Sequence, residues 1–168
     1  MNNIYTTTTN NANIEIPAMT LWVDADACPR VIKDIIYKIS ARLNLKTILV
    51  ANDHLTIPIS PFISLIKVKK DLDAADHYIV EHVQTTDVVI TADIPLAALV
   101  VGKGSVAIDV RGEIYTEENV QERLSIRDFA KTLRDSGLQI AGPAIFQDKD
   151  KIKFTNSLNN ILTKKLKK

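Results

Sequence analysis

The 168-residue sequence predicts a three-layer α/β/α domain built on a mostly parallel sheet. Three observations predict it. Short apolar runs rich in β-branched residues alternate with longer stretches of helical periodicity. The run Leu21–Val23 passes straight into two carboxylates and a proline (LWVDADACP, 21–29), the pattern of a strand–acid–helix junction at the carboxyl edge of an open sheet. The stretch Asp87–Thr91 is nearly all apolar, as expected of a strand covered on both faces.

The elements follow in order. Thr20–Val23 is the first strand. A helix over Pro29–Leu43 puts Val31, Ile32, Ile35, Ile36, Ile39 and Leu43 on one stripe. Lys46–Val50 is the second strand, 51–61 a loop with two prolines, and Ile63–Val68 the third strand. Asp71 or Asp73 caps a helix reaching about Val83, and Asp87–Thr91 is the fourth strand. Pro95 opens a third helix that stops at Gly102 or Gly104, before a fifth strand over Ser105–Ile108. Arg111-Gly112 leads into a short extended piece, 113–115. Two helical stretches come next, about 117–124 and 126–136, the second entered through Ser125 with Asp128 in a capping-box pattern. After a loop over 137–143, an amphipathic helix from Asp148 onward aligns Phe154, Leu158, Ile161 and Leu162. No internal repeat or second domain is visible.

Composition narrows the class. The chain is 46% hydrophobic and 24% charged with a net charge of +1, so nothing pulls the whole molecule toward nucleic acid or membrane. Charge is unevenly spread, because residues 149–168 hold seven Lys and one Asp while the rest is mildly acidic. The single Cys28 excludes an internal disulfide. No apolar run approaches the roughly 20 residues of a membrane span. Residues 1–18 are rich in Asn and Thr and lack the marks of a signal or transit peptide. They read as a disordered extension, with Met19 an alternative start, and the whole points to the cytoplasm.

The parallel sheet sorts the acids. Those at the carboxyl ends of strands converge: Asp24 and Asp26 after strand one, Asp93 after strand four, Asp109 at the end of strand five. Asp87 starts strand four and so lies roughly 20 Å away at the opposite edge, a surface or capping acid rather than a ligand. Asp73 and Asp76, in the first turn of helix two, share a face at the same carboxyl edge, although first-turn acids also serve the helix dipole. Crowded carboxylates repel unless a cation offsets them. Mg²⁺ or Mn²⁺ suits oxygen ligands, and beside a phosphodiester such an ion neutralises phosphate and orients hydroxide. Thr91, next to Asp93, is a candidate for holding the attacking water or a phosphate oxygen.

These segments resemble a family. LWVDADACP (21–29), LDAADHYIV (72–80), TDVVITADIPLAA (86–98), RGEIYT (111–116), SIRDFAKTLRDSG (125–137) and Gly142-Pro143 are similar to the bacterial YaiI/YqxD family, over Met19 to about residue 162. The resemblance implies a PIN-like fold, that of a superfamily of metal-dependent nucleases. It therefore implies phosphodiester hydrolysis of nucleic acid, RNA ahead of DNA, with Mg²⁺ or Mn²⁺ as cofactor and a homodimer as the common assembly. Carried over, the catalytic acids fall on Asp24, Asp73 and Asp93, with Asp26 and Asp76 beside them as further metal ligands. The sequence departs from the pattern at residues 1–18, at His77 and at Asp109, so the fourth ligand stays open.

Other residues carry weaker signals. Cys28 sits near a helix start, but a Cys-x5-Arg phosphatase needs Arg where Asp34 stands, so a packed thiol is the better reading. His54, His77 and His82 lack ligand spacing, and His77 alone is placed to reach the acids. Arg111 suits either a phosphate or a structural turn. Arg123, Arg127, Lys131 and Arg134 form a candidate basic strip for a nucleic-acid backbone, weakened by the expected break at Ser125. The Lys164–Lys168 end offers nonspecific phosphate affinity or simply suits the helix dipole, and Trp22 reads as core. Two rival functions remain: a haloacid-dehalogenase-like phosphatase using Asp24 and Asp26, and a noncatalytic RNA-binding or regulatory module of PIN-like fold.

Overall fold

In the computed structural model, which describes residues 18–167, a six-stranded sheet runs through the molecule. Its strands are β1 (Leu21–Asp24), β2 (Thr47–Ala51), β3 (Ile63–Lys67), β4 (Val88–Ile90), β5 (Val106–Ile108) and β6 (Ile114–Tyr115). Spatial order is β3-β2-β1-β4-β5-β6. The first five pair in parallel and β6 closes the edge antiparallel to β5. The helices are α1 (Arg30–Leu43), α2 (Ala74–His82), α3 (Ile94–Gly102), α4 (Glu117–Asp135) and α5 (Asp148–Leu166). Residues 1–17, including nearly all of the expected disordered extension, lie outside the described part.

Side-chain alternation along the strands makes three layers. Leu21, Val23, Leu49, Val88, Ile90 and Ile108 pack on one face against Ile32, Ile36 and Ile39 of α1 and Phe154, Leu158, Ile161 and Leu162 of α5. Trp22, Ile48, Val50, Val89 and Ala107 pack on the other against α2, α3 and Val120 of α4. The expected three-layer fold is therefore present, and the aligned residues of the last helix are its buried face as predicted. Trp22 belongs to the core, its indole N–H donating to Asp87 Oδ2 at 2.9 Å.

Two expectations need correction. The predicted break at Ser125 does not occur, and α4 is one helix of 19 residues. Neither Gly nor Pro interrupts the chain there, and the Ser125 hydroxyl donates back to the Gln121 carbonyl at 3.1 Å, which a helix interior accommodates. The capping box is formed instead by Thr116 and Asn119. Asp87 does lie at the sheet edge opposite the other acids, but it is not on the surface. It is 2% exposed and accepts from the Thr20 N–H, the Trp22 indole and the Gln84 N–H, tying β1 to the start of β4. Three donors solvate the carboxylate where water cannot reach it.

Candidate acidic site

The strand order reverses between β1 and β4, and the crevice at such a switch point is where an open α/β sheet leaves room for a ligand. Asp24 ends β1 there. Thr91, the residue after β4, donates its hydroxyl to Asp24 Oδ2 at 2.8 Å. The same hydroxyl oxygen accepts the Asp93 N–H at 2.9 Å, and Asp93 Oδ1 caps α3 through the Leu96 N–H at 2.9 Å. Thr91 is fully buried and its proton is already committed, so it holds Asp24 and Asp93 in register rather than touching water or phosphate.

Two loops complete the site. Asp26 accepts the Asn52 N–H at 2.8 Å, which latches the loop after β1 to the loop after β2. Asp73 stands at the N-cap position of α2 with φ of 61°, a left-handed conformation that Asp tolerates better than most residues, and its side chain makes no capping bond. The carboxylate is therefore free of the capping duty the sequence offered as an alternative. Asp76 follows one turn into α2.

Asp24, Asp26, Asp73, Asp76 and Asp93 all line one open cleft of about 330 Å³, with Asn52, Ala27, Ala74, Ala75 and Ala92. Five carboxylates meet there and no Lys, Arg or His lines it among the described residues. Burial, then Asp93, Asp24 and Asp73, push the Asp76 carboxyl up to about 7. Burial raises Asp24 as well, with Asp93 and Asp26 adding to the rise and the Thr91 bond opposing it. Small alanines leave the acids open to a ligand. A haloacid-dehalogenase-like phosphatase would need a lysine in this lining.

The donor set is all oxygen, which fits Mg²⁺ or Mn²⁺. Asn52 Oδ1 is buried with no hydrogen-bond partner, an unsatisfied acceptor on a residue of the cleft wall. Sequence reasoning missed Asn52, because only the Asp26 latch brings it to the acids; an Asn directly after a buried strand was the available signal. As the side chains stand, no three acids, histidines or cysteines among the described residues are close enough together to hold one ion. For these acids to share one cation the carboxylates would have to move inward, and Asp26 and Asp73 are exposed.

The remaining candidates fall elsewhere. Arg111 donates to Asp150 at 2.8 Å and to the Ala144 carbonyl, and its guanidinium lies 5.6 Å over the Phe146 ring. It anchors the start of α5, as the structural-turn alternative expected. Asp109 Oδ1 accepts the Arg111 and Glu113 N–H groups and shapes that same turn instead of adding a ligand. Burial pushes the Cys28 thiol up to about 12, so it packs as a neutral group. His77 is exposed and does not line the cleft, and His82 is exposed and stacked on Tyr78 at 4.1 Å. Arg123, Arg127 and Arg134 line one groove of about 610 Å³ along α4, which the unbroken helix makes possible. Its wall includes Ile94, the residue after Asp93.

A family profile described as uncharacterised YaiI/YqxD matches residues 22–164. The chain belongs to the YaiI/YqxD family. Relatives carry the UPF0178 designation. One from Marinomonas sp. (strain MWYL1) is 49% identical over 149 residues, covering 89% of this chain and all of the relative. One from Legionella pneumophila (strain Lens) is 50% identical, covering 87% of this chain and 99% of its own length. One from Trichlorobacter lovleyi is 52% identical, covering 89% and 97%. No solved structure matches. Among the described residues of this YaiI/YqxD protein, no helix is long and apolar enough to cross a membrane.

Proposed function

We propose that this YaiI/YqxD protein is a metal-dependent nuclease of PIN-like type that hydrolyses phosphodiester bonds in nucleic acid, RNA in preference to DNA. The observation that carries the reading is the convergence of five carboxylates from separate segments on one cleft whose described lining holds no cation. Asp24, Asp73 and Asp93 would hold Mg²⁺ or Mn²⁺, with Asp26, Asp76 and the Asn52 carbonyl completing an oxygen shell. When bound, the ion would neutralise a phosphate and lower the pKa of a water.

The chain's own residues do the positioning. Thr91 fixes the Asp24 carboxylate at the strand end, and the α3 cap fixes Asp93. Asp73 and Asp76 approach from α2 on the other wall. Arg127 and Arg134 on α4 are placed to bind the backbone of a strand leaving past Ile94.

Asp93→Asn tests the proposal. Asparagine keeps a side-chain oxygen for the Leu96 N–H, so α3 stays capped while one charge is lost. Mn²⁺-dependent cleavage of labelled RNA and single-stranded DNA should fall to background in the variant, with a metal-free melting temperature no lower than wild type. Equal cleavage by both proteins would remove the assignment.

A further inference from the structure

The acid cleft has a neighbour of opposite character. Next in sequence to the residues of the Asp26–Asn52 latch, α1 and the loop after β2 enclose a second cleft of about 640 Å³. Arg30, Lys33, Asp34 and Tyr37 line it from α1, and His54, Leu55 and Ile57 line it from the loop. Arg30 and Lys33 are i, i+3 and therefore present their charges on one helical face. Among the described residues neither makes an ion pair, and Asp34 is the single acid in the wall. Tyr37 follows one turn on, half-buried, while Leu55 and Ile57 pack against the core and give the wall an apolar strip.

The two clefts share their boundary. Asp26 and Arg30 bracket one short connection, and Asn52 and His54 bracket another, with the 2.8 Å bond from the Asn52 N–H to Asp26 joining them. A chain of phosphates crossing that boundary leaves an acidic wall suited to a cation and meets an arginine and a lysine that make no ion pair among the described residues. The apolar strip beside Tyr37 suits a base or sugar that is not stacked in a duplex.

We propose that Arg30 and Lys33 form a phosphate subsite for a single-stranded nucleic acid, flanking the acid cleft on the side opposite the α4 groove, with Tyr37 supporting the adjacent base or sugar. The inference rests on the nuclease reading for its ligand class and adds the path of the strand. Substrate then spans α4, the acid cleft and α1. Because Arg30 and Lys33 touch the flanking backbone, they bind substrate and leave cation binding to the acids.

The test uses the full chain without metal, so that binding is read apart from cleavage. A fluorescent single-stranded RNA oligonucleotide is titrated by anisotropy at several salt concentrations into wild type and the Arg30→Gln/Lys33→Gln double variant. Losing two single-strand phosphate contacts should reduce the slope of log K against log salt by about 1.4 and weaken binding about 25-fold at 0.1 M salt. Mn²⁺ binding, measured by calorimetry on the same two proteins, should be equal. An unchanged slope and affinity in the variant overturns the subsite while leaving the nuclease reading intact. Wild type that binds no oligonucleotide overturns the subsite too, and the Mn²⁺ titration then reports on the acid cleft separately. Equal melting temperatures identify any loss as a binding effect.

Discussion

Asp76→Asn should make the metal-free protein more stable at alkaline pH. The Asp76 carboxyl rises from 3.8 to about 7 on folding, first through burial and then through Asp93, Asp24 and Asp73. The folded state therefore holds this proton more tightly than the unfolded chain does. The resulting stabilisation is fully present below about pH 4 and is lost as pH rises through about 7. At 1.36 kcal/mol per pH unit, a group shut off from water would account for about 4 kcal/mol. Asp76 is only half-buried, and screening reduces this to about 1–2 kcal/mol. Asparagine matches the protonated acid in shape and removes the charge. In EDTA at pH 8 the variant should melt about 2–8 °C above wild type, and the two should coincide near pH 3.5. Thermal unfolding followed by circular dichroism at both pH values gives the comparison. A variant that melts at or below wild type at pH 8 refutes the picture of mutually repelling acids. Excess Mn²⁺ should reverse the order by stabilising wild type, by about 2.7 kcal/mol at a hundredfold excess over Kd, more than the variant.

Two further substitutions test the scaffold. Thr91→Val removes the hydroxyl that donates to Asp24 and accepts from the Asp93 N–H, so stability should fall by about 1–3 kcal/mol in urea titration with m unchanged. If the proposed nuclease reading holds, Mn²⁺-dependent cleavage should fall with it, and the Asp24 carboxyl should rise further once the bond that lowers it is gone. Gly112→Ala should cost about 1–3 kcal/mol from the left-handed backbone alone, because φ there is 86°. Its new methyl group would also meet the Lys153 carbonyl carbon at 2.6 Å, so α5 must shift, which a lowered melting temperature and faster amide exchange in α5 would report.

Local pattern made the fold legible. Strand identity came from short apolar runs, and the parallel arrangement came from their alternation with helices, so the acids at strand ends could be sorted before any coordinate was known. Asp24 and Asp93 were reachable by that route, and Asp73 and Asp76 followed because α2 begins at the same edge. What stayed hidden depends on partners distant in sequence. Thr91 reads as a free hydroxyl until Asp24, 67 residues earlier, is seen to accept its hydrogen bond. Arg111 reads equally as a phosphate ligand or a turn residue until Asp150 is seen to pair with it from 39 residues away. Asp87 reads as surface until Thr20 and Trp22 supply donors across the β1–β4 pair. Asn52 joins the site through a backbone hydrogen bond to Asp26, 26 residues earlier, with only its place directly after a buried strand to signal it. The break expected at Ser125 had a different source: Ser125 and Asp128 fit a capping pattern, yet the continuous i–4 bonding of α4 overrode it.

The most direct test of the account is calorimetric titration of Mn²⁺ into wild type and Asp24→Asn at pH 8. Asp24 is the buried acid at the centre of the cleft, and asparagine keeps an acceptor for the Thr91 hydroxyl while removing its charge. The account predicts saturable binding to wild type that is lost or strongly weakened in the variant, with both proteins folded. Equal binding by the two, or no binding by wild type, would contradict the claim that this cleft is built to hold a divalent cation.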